Sequence, residues 1–210
     1  MSFLRSGLFT LLALLFSGCV DRSSNGITPA SRFLFNGRNL VGWEVMHGGS
    51  WTVEKGELVA RNGVAWSTNP KISGSWLRTD RPQGDFILEL DYSVNVKGNS
   101  GVFIRSGLEL NPAFTGHEIQ ILDDAALAKP EKWSSGALYD VVAANQVASR
   151  PAGEWNSLRI EARGSRVQIQ LNGIRIVDYP TARSLRGYIG LQNHDTNAVT
   201  RFRNIRLTDL

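Results

Sequence analysis

The chain has 210 residues, of which 42% are hydrophobic, 20% charged and 9% aromatic, so it can bury a core as one domain and is neither disordered nor collagen-like. Its 23 Lys and Arg residues outnumber its 19 Asp and Glu residues, and the net charge of +4 is spread along the chain rather than gathered into a basic stripe. We therefore expect no nucleic-acid partner.

The N-terminus has the features of an export signal. Arg5 precedes an apolar run over residues 8–16, and the small residues Ser17 and Gly18 follow it. The run is shorter than the roughly 20 apolar residues that a transmembrane helix needs. We predict a signal peptide over residues 1–18.

Cys19 is the only cysteine, so the chain cannot form an internal disulfide. Its position directly after Phe16-Ser17-Gly18 resembles the bacterial lipobox, in which the cysteine is lipidated and becomes the new N-terminus. The alternative is an ordinary signal peptide followed by a chance cysteine. We predict an exported lipoprotein of the bacterial cell envelope, in the periplasm or on the cell surface, that contacts the membrane through its lipid anchor only. Residues 19–31 are polar and turn-rich, which predicts a lipidated cysteine and a flexible tether.

The pattern of residues 32–210 predicts one β-domain, because apolar and polar residues alternate in short runs separated by turn residues. The clearest strand is predicted over residues 85–96, where apolar side chains from Phe86 to Val96 share one face and Glu89 and Asp91 lie on the other. A second unit, over residues 166–178, contains Asn172-Gly173 between two apolar runs, which is a strong hairpin signal.

Several further segments fit short strands, and no convincing long helix separates them. Only residues 123–129 could form a helical turn or two. Many short strands without intervening helices favour a two-sheet sandwich, an all-β fold. The additional predicted strands are 58–61, 76–79, 101–105, 118–122, 137–142, 155–162, 188–194 and 200–208.

Polar residues recur at spacing i, i+2 on some of these strands, as they would on the outer face of a sheet. Glu118 and Gln120 share one face of their strand, and Gln192 and His194 share one face of theirs. Glu118 and Asp123 are five residues apart, so a regular strand puts them on opposite faces and only a bulge would bring them together as a carboxylate pair. The alternative is a solvated strand residue and a turn or helix cap.

Other candidates also have simpler explanations. His194 is one of three histidines, and a single histidine near a strand end is more often structural; His47 and His117 show no metal-binding spacing with it. Trp66 and Trp133 lie in turn-rich segments and are candidates for stacking on a sugar ring, unlike the tryptophans beside apolar runs. The carboxylates of Asp123, Asp124 and Asp195 could bind calcium, although acid-rich turns usually need no metal, and no cofactor is expected.

Together, these motifs resemble the 3-keto-disaccharide hydrolase domain family, which implies a concanavalin A-like jelly-roll sandwich. The resemblance preserves the order of the family's motifs over nearly all of residues 32–210. One departure is Asp195, which follows His194 where the family more often has glycine. The matching segments are Leu34–Trp43, Gly98–Arg105, Glu118–Asp123, Gly136–Tyr139, Glu154–Asn156, Leu171–Gly173, Ile189–His194 and Phe202–Ile205.

The resemblance implies an enzyme that cleaves glycosides already oxidised at C3 of one sugar. A 3-ketone acidifies the C2 proton, so base-promoted elimination breaks the glycosidic bond at C1 and water can add afterwards. A sugar 3-dehydrogenase acting upstream would supply this carbohydrate substrate. On this interpretation the base is Glu118 or His194.

The remaining roles are hypotheses within the same interpretation. We expect Arg105 and Gln120 to face the developing enolate, and Tyr139 or Asp123 to assist departure of the aglycone. The fold also serves lectins, so the alternatives are a glycan-binding module without bond cleavage and a structural lipoprotein of the envelope. The residues expected to bind substrate are Asn99, Gln192, Trp66 and Trp133.

Overall fold

The computed structural model describes Met1, residues 30–181 and residues 183–210. The predicted signal peptide after Met1, Cys19 and nearly all of the predicted tether lie outside these residues. The described part of the chain forms thirteen strands and one short helix: β1 Ser31–Phe33, β2 Trp43–Met46, β3 Ser50–Glu54, β4 Glu57–Arg61, β5 Ser75–Thr79, β6 Phe86–Val94, β7 Asn99–Ser106, α1 Pro112–Thr115, β8 His117–Leu122, β9 Asn156–Arg163, β10 Arg166–Leu171, β11 Ile174–Pro180, β12 Tyr188–Asn193 and β13 Thr200–Asp209.

The strands form two antiparallel sheets, which confirms the predicted two-sheet jelly-roll sandwich. The larger sheet has eight strands in the order β11-β10-β9-β6-β13-β4-β3, with β1 paired to the end of β13. The smaller sheet has five strands in the order β2-β5-β12-β7-β8. Among the described residues, no helix has the length and apolarity needed to cross a bilayer.

Strand β6 shows why the alternation predicted the layers correctly. Phe86, Leu88 and Leu90 point between the sheets and are buried, while Glu89 on the opposite face is exposed. They pack into one core with apolar side chains of the smaller sheet, such as Val102 of β7. Burial of one face therefore fixes the register of the strand, because a one-residue slip would turn every apolar side chain outward.

The predicted hairpin is also present, between β10 and β11. Leu171 pairs with Ile174, and the turn residues Asn172 and Gly173 have φ values of 52° and 82°. Two successive positive φ values define the type I′ turn, which glycine adopts without strain.

Two local predictions are wrong. Residues 137–142 form a turn, because Leu138 O accepts hydrogen bonds from the N–H groups of both Val141 and Val142, so the chain reverses instead of extending. Residues 123–129 contain no helix: Asp124 instead accepts hydrogen bonds from Ser135 N and Ser149 Oγ. The described helix is α1, which begins after the N-cap Asn111.

Candidate active site

The outer face of the smaller sheet carries a group of polar side chains. In the β7–β8 pair, Gly101 lies opposite Gln120 and Phe103 lies opposite Glu118. Strand β12 pairs with the other edge of β7, and Gln192 donates a hydrogen bond to Glu118 across it. Opposite residues of antiparallel strands share a face, so Glu118, Gln120 and Gln192 lie side by side.

These side chains line a small pocket of about 90 Å³. Strands β7, β8 and β12 form its floor, and its sides come from the segment around Trp66, the start of α1 and Tyr139. The lining residues are Trp66, Ser67, Thr68, Asn99, Asn111, Ala113, Phe114, Glu118, Gln120, Tyr139, Gln192 and His194.

Glu118 is the buried acid of this pocket, with 4% of its surface exposed. Its Oε1 accepts hydrogen bonds from Gln192 Nε2 at 3.0 Å and, with the Gln120 amide oriented to satisfy its partners, from the Gln120 nitrogen at 3.1 Å. Burial raises the pKa of Glu118 to about 8, although the Gln192 hydrogen bond opposes the shift. The carboxyl is therefore mostly protonated at neutral pH.

Gly101 makes room for Glu118. A Cβ atom at position 101 would lie 2.2 Å from Glu118 Oε1, closer than any real contact. The carboxyl therefore occupies the space above β7 that a side chain would otherwise fill.

Two buried acceptors in the pocket have no protein partner. Gln192 is 3% exposed, and because its nitrogen is bonded to Glu118, its Oε1 is left unpaired; Asn99 Oδ1 is unpaired as well. Burying an unpaired acceptor costs free energy, whereas a bound hydroxyl would satisfy it. This arrangement suits a ligand that carries hydroxyl groups.

His194 and Asp195 form a hydrogen-bonded pair at the edge of the pocket, where His194 follows directly after β12. His194 Nδ1 lies 2.8 Å from Asp195 Oδ2. Asp195 Oδ1 accepts hydrogen bonds from the N–H groups of Asn197 at 2.7 Å and Ala198 at 2.9 Å. Burial raises the pKa of Asp195, but the hydrogen bonds from His194 and the two backbone groups outweigh burial and leave the pKa below its ordinary value.

Aromatic side chains line the sides of the pocket. Trp66 packs on Phe103 with ring centroids 5.2 Å apart and donates from Nε1 to the carbonyl of Asn193 at 3.3 Å. Phe114 meets Tyr139 edge to face at 6.5 Å. Burial, together with the nearby acidic residues, raises the pKa of Tyr139, so its hydroxyl stays protonated.

Arg105 does not lie in the pocket, contrary to the sequence-based expectation. The pairing of β7 with β12 shifts register beside it, and Arg105 has a φ of 51°, so its side chain turns away from the outer face. It is 1% exposed and donates to the carbonyls of Gly84 at 2.9 Å and Gly164 at 2.5 Å, and to Asp85 Oδ1 at 2.7 Å. Arg105 therefore joins the two sheets.

Asp123 and Trp133 also lie apart from the pocket lining. The β7–β8 register has no bulge, so Asp123 does not join Glu118 as a carboxylate pair; its Oδ2 accepts a hydrogen bond from Lys97 N at 2.9 Å instead. Trp133 is 59% exposed on a loop. Gln120 does line the pocket, but its nitrogen is bonded to Glu118 and the Ser100 carbonyl rather than free to face an enolate.

The pocket residues on loops were not predicted from the sequence pattern. Asn111 caps α1 through a hydrogen bond from Ala113 N and donates from Nδ2 to the carbonyl of Ser67, which joins two sides of the pocket. Asn-Pro before a short segment is an N-cap signal that could have located α1. Within residues 30–181 and 183–210, no three His, Cys, Asp or Glu side chains are grouped as metal ligands.

The fold and the pocket define a concanavalin A-like jelly-roll sandwich with an acid-and-amide pocket on its smaller sheet. More specifically, the chain belongs to the 3-keto-alpha-glucoside-1,2-lyase-like domain family, whose model matches residues 30–208.

Three known proteins illustrate the relationship. A curated relative from Bacteroides thetaiotaomicron, named 3-keto-disaccharide hydrolase, is 26% identical over 224 residues, covering 83% of this chain and 76% of the relative. The crystal structure of a candidate glycosyl hydrolase from Parabacteroides distasonis is 24% identical with a TM-score of 0.70, covering 86% of this chain and 94% of that one. The carbohydrate-binding module CBM66 from Bacillus subtilis is 20% identical with a TM-score of 0.58, covering 81% and 98%. These two structures share the fold.

Proposed function

We propose that the protein is an enzyme that cleaves 3-keto-glycosides by elimination followed by hydration. The observation that carries this proposal is the pocket's pair of acid-base groups in different environments, a buried carboxyl with a raised pKa and an imidazole bonded to a carboxylate. The name of the Bacteroides thetaiotaomicron relative, 3-keto-disaccharide hydrolase, supports the same class of substrate.

The reaction needs three functions. A base removes the proton at C2, and the electron pair of the C2–H bond moves toward the ketone and forms an enolate at the C3 oxygen. The enolate then expels the group on C1, so the C1–O bond breaks, a C1–C2 double bond forms, and the departing oxygen takes a proton. Water adds at C1 to give the free 3-keto sugar. The enolate oxygen needs a hydrogen-bond donor and the departing oxygen a proton donor.

We assign His194 as the base and protonated Glu118 as the donor to the enolate oxygen. A carboxylic acid kept neutral by burial can donate a hydrogen bond to an oxyanion at neutral pH. Tyr139 serves the departing oxygen because its hydroxyl remains protonated in the same pocket. The unpaired oxygens of Gln192 and Asn99 accept hydrogen bonds from sugar hydroxyls, and Trp66 lies against the sugar ring.

The test compares 3-keto disaccharides with their unoxidised parents and follows aglycone release by chromatography. We expect cleavage of the keto forms alone, and a loss of about 10²-fold in kcat/KM for Glu118→Gln, the size expected when an oxyanion donor is weakened. As a donor, Glu118 must be protonated, so kcat/KM should fall as pH rises through about 8. A rise over the same range would make Glu118 the base instead.

The second candidate is a glycan-binding module. The unpaired acceptors of Gln192 and Asn99 favour it, because they require only a bound sugar and no reaction. Saturable binding of an unoxidised glycoside, with no cleavage of any keto form, would replace the enzyme proposal with this one.

We also propose that the protein is an envelope lipoprotein and that its substrate comes from a sugar 3-dehydrogenase. The N-terminal sequence supports the location, since an apolar run precedes Cys19. We expect wild-type chains to incorporate labelled palmitate and Cys19→Ala chains to remain unlabelled. Equal labelling of both would contradict lipidation at this position.

A further inference from the structure

We propose that Asp195 is a positioning residue that holds His194 in one tautomer, with the proton on Nδ1 and the lone pair on Nε2 available to the pocket. The tautomer follows from geometry alone. Its consequence for catalysis rests on the proposed function, in which His194 removes a proton from the substrate.

The carboxylate of Asp195 is held from one side. Its Oδ1 accepts two backbone hydrogen bonds, from Asn197 at 2.7 Å and Ala198 at 2.9 Å. This leaves Oδ2, which lies 2.8 Å from His194 Nδ1. The backbone therefore fixes the orientation of the carboxylate that faces the imidazole.

The proton on the shared hydrogen bond belongs to the histidine. An ionised carboxylate can only accept hydrogen bonds, and the hydrogen bonds to Asp195 favour its ionised form. Nδ1 must therefore carry the hydrogen, and in a neutral imidazole Nε2 is then the acceptor.

Within the described part of the chain, no second side chain or backbone group hydrogen-bonds the ring of His194. The ring lines the pocket together with Glu118 and Tyr139. Asp195 thus leaves Nε2 free for a ligand proton, while a neighbouring acid is kept protonated by burial. The pocket thereby holds both a proton acceptor and a proton donor.

The test is Asp195→Asn in the full chain. The asparagine keeps an oxygen for the backbone N–H groups of Asn197 and Ala198 but presents an NH₂ donor to the imidazole. A donor at that position requires an unprotonated Nδ1, so the tautomer should invert. Asp178→Asn, which removes a surface carboxylate bonded to Arg166, is the matched control.

The readout is the ¹⁵N NMR spectrum of the histidine rings, in which protonated and unprotonated ring nitrogens have well-separated shifts. His194→Gln assigns the signal. We expect a protonated Nδ1 in the wild type and in Asp178→Asn, and a protonated Nε2 in Asp195→Asn. A wild-type ring protonated on Nε2, or an unchanged tautomer in Asp195→Asn, would overturn the positioning inference.

Kinetics then separate this inference from the proposed function. We expect kcat on a 3-keto disaccharide to fall by about 10²-fold in Asp195→Asn with little change in KM, because the wrong tautomer cannot accept the proton. An inverted tautomer with unchanged kcat would refute the catalytic part of the inference. If the wild type cleaves no keto-glycoside, the proposed function fails, and the NMR result still decides whether Asp195 sets the tautomer.

Discussion

At the scale of single residues, the environment of Glu118 has an energetic consequence of its own. Two amide donors bond the same carboxyl oxygen, but burial still dominates and raises its pKa. A carboxyl whose pKa is higher in the folded chain than in the unfolded chain favours folding in its protonated form. Its contribution to stability is complete below the unfolded pKa of about 4.5 and is lost as pH rises toward about 8.

Glu118→Gln should therefore change stability in a pH-dependent way. The free energy of unfolding of the variant, relative to that of the wild type, should be higher at pH 9 than at pH 5. The increase should be about 1.4 kcal/mol for each unit by which the pKa of Glu118 in the folded chain exceeds its pKa in the unfolded chain. Urea unfolding at the two pH values measures the difference. Glu109→Gln, at an exposed position, is the control and should show no such trend. A constant difference at both pH values would mean that the carboxyl is not held protonated.

Arg105 shows where counting residues along a strand fails. Alternation from Gly101 and Phe103 assigns Arg105 to the outer face, yet the register shift between β7 and β12 turns it inward. Nothing in the local sequence marks this bulge, since it depends on the pairing of two distant strands. The positions of Glu118, Gln120 and Gln192 could be predicted because their strands are regular there.

Removing the Arg105 side chain should destabilise the protein without changing the pocket. Arg105→Met removes the side-chain donor from the carbonyls of Gly84 and Gly164 and leaves the Asp85 carboxylate with only its hydrogen bond from Gly164 N, at a cost of about 2–4 kcal/mol. Arg163→Met, which removes an exposed arginine bonded to Glu161, should cost less than about 0.5 kcal/mol. A large loss of kcat in an Arg105→Met variant that remains folded would indicate that Arg105 takes part in the reaction.

At the scale of elements, the sequence predicts strands better than the segments that surround the pocket. Strand β6 and the β10–β11 hairpin follow from alternation and turn chemistry, which are local properties. The sides of the pocket depend on contacts between distant segments, such as the hydrogen bond from Asn111 N to the Pro70 carbonyl at 3.0 Å. Such contacts leave no periodic pattern in the sequence.

Gly101 of β7 is required by the site, because a side chain at this position of the strand would occupy the space that the Glu118 carboxyl fills. Gly101→Ala should displace the Glu118 carboxyl, abolish turnover and cost about 1–3 kcal/mol from overpacking. Gly84→Ala is the matched control, since its added Cβ would lie 3.7 Å from the nearest atom, an ordinary contact.

A double-mutant cycle tests whether the effect comes from the contact between a side chain at position 101 and the Glu118 carboxyl. If Gly101→Ala acts through the carboxyl, its cost in unfolding free energy should shrink in a Glu118→Ala background, where that oxygen is absent. An equal cost in both backgrounds would assign the effect to the backbone of β7.

At the scale of the whole molecule, β1 sets the expected start of the folded unit. It pairs with β13 from Ser31 to Phe33, and the Arg206 guanidinium lies 4.3 Å from the centroid of the Phe33 ring. A chain beginning at residue 30 should therefore unfold at the same temperature as the full chain. A chain beginning at residue 34 should lose about 1 kcal/mol, or about 2–4 °C in melting temperature, measured by circular dichroism. A lower melting temperature for the chain beginning at residue 30 than for the full chain would show that the preceding residues contribute to the stability of the domain.

Strand β13 has three neighbours, since it pairs with β6 along one edge and with β4 and then β1 along the other. It is also the last strand in the sequence, so the centre of the larger sheet cannot assemble until residues 200–209 have been synthesised. Until those residues emerge from the ribosome, β6 and β4 lack the neighbour that they share, so the nascent domain cannot complete its larger sheet. If the N-terminal segment directs export as predicted, this delay favours passage of the still unfolded domain through a secretion channel.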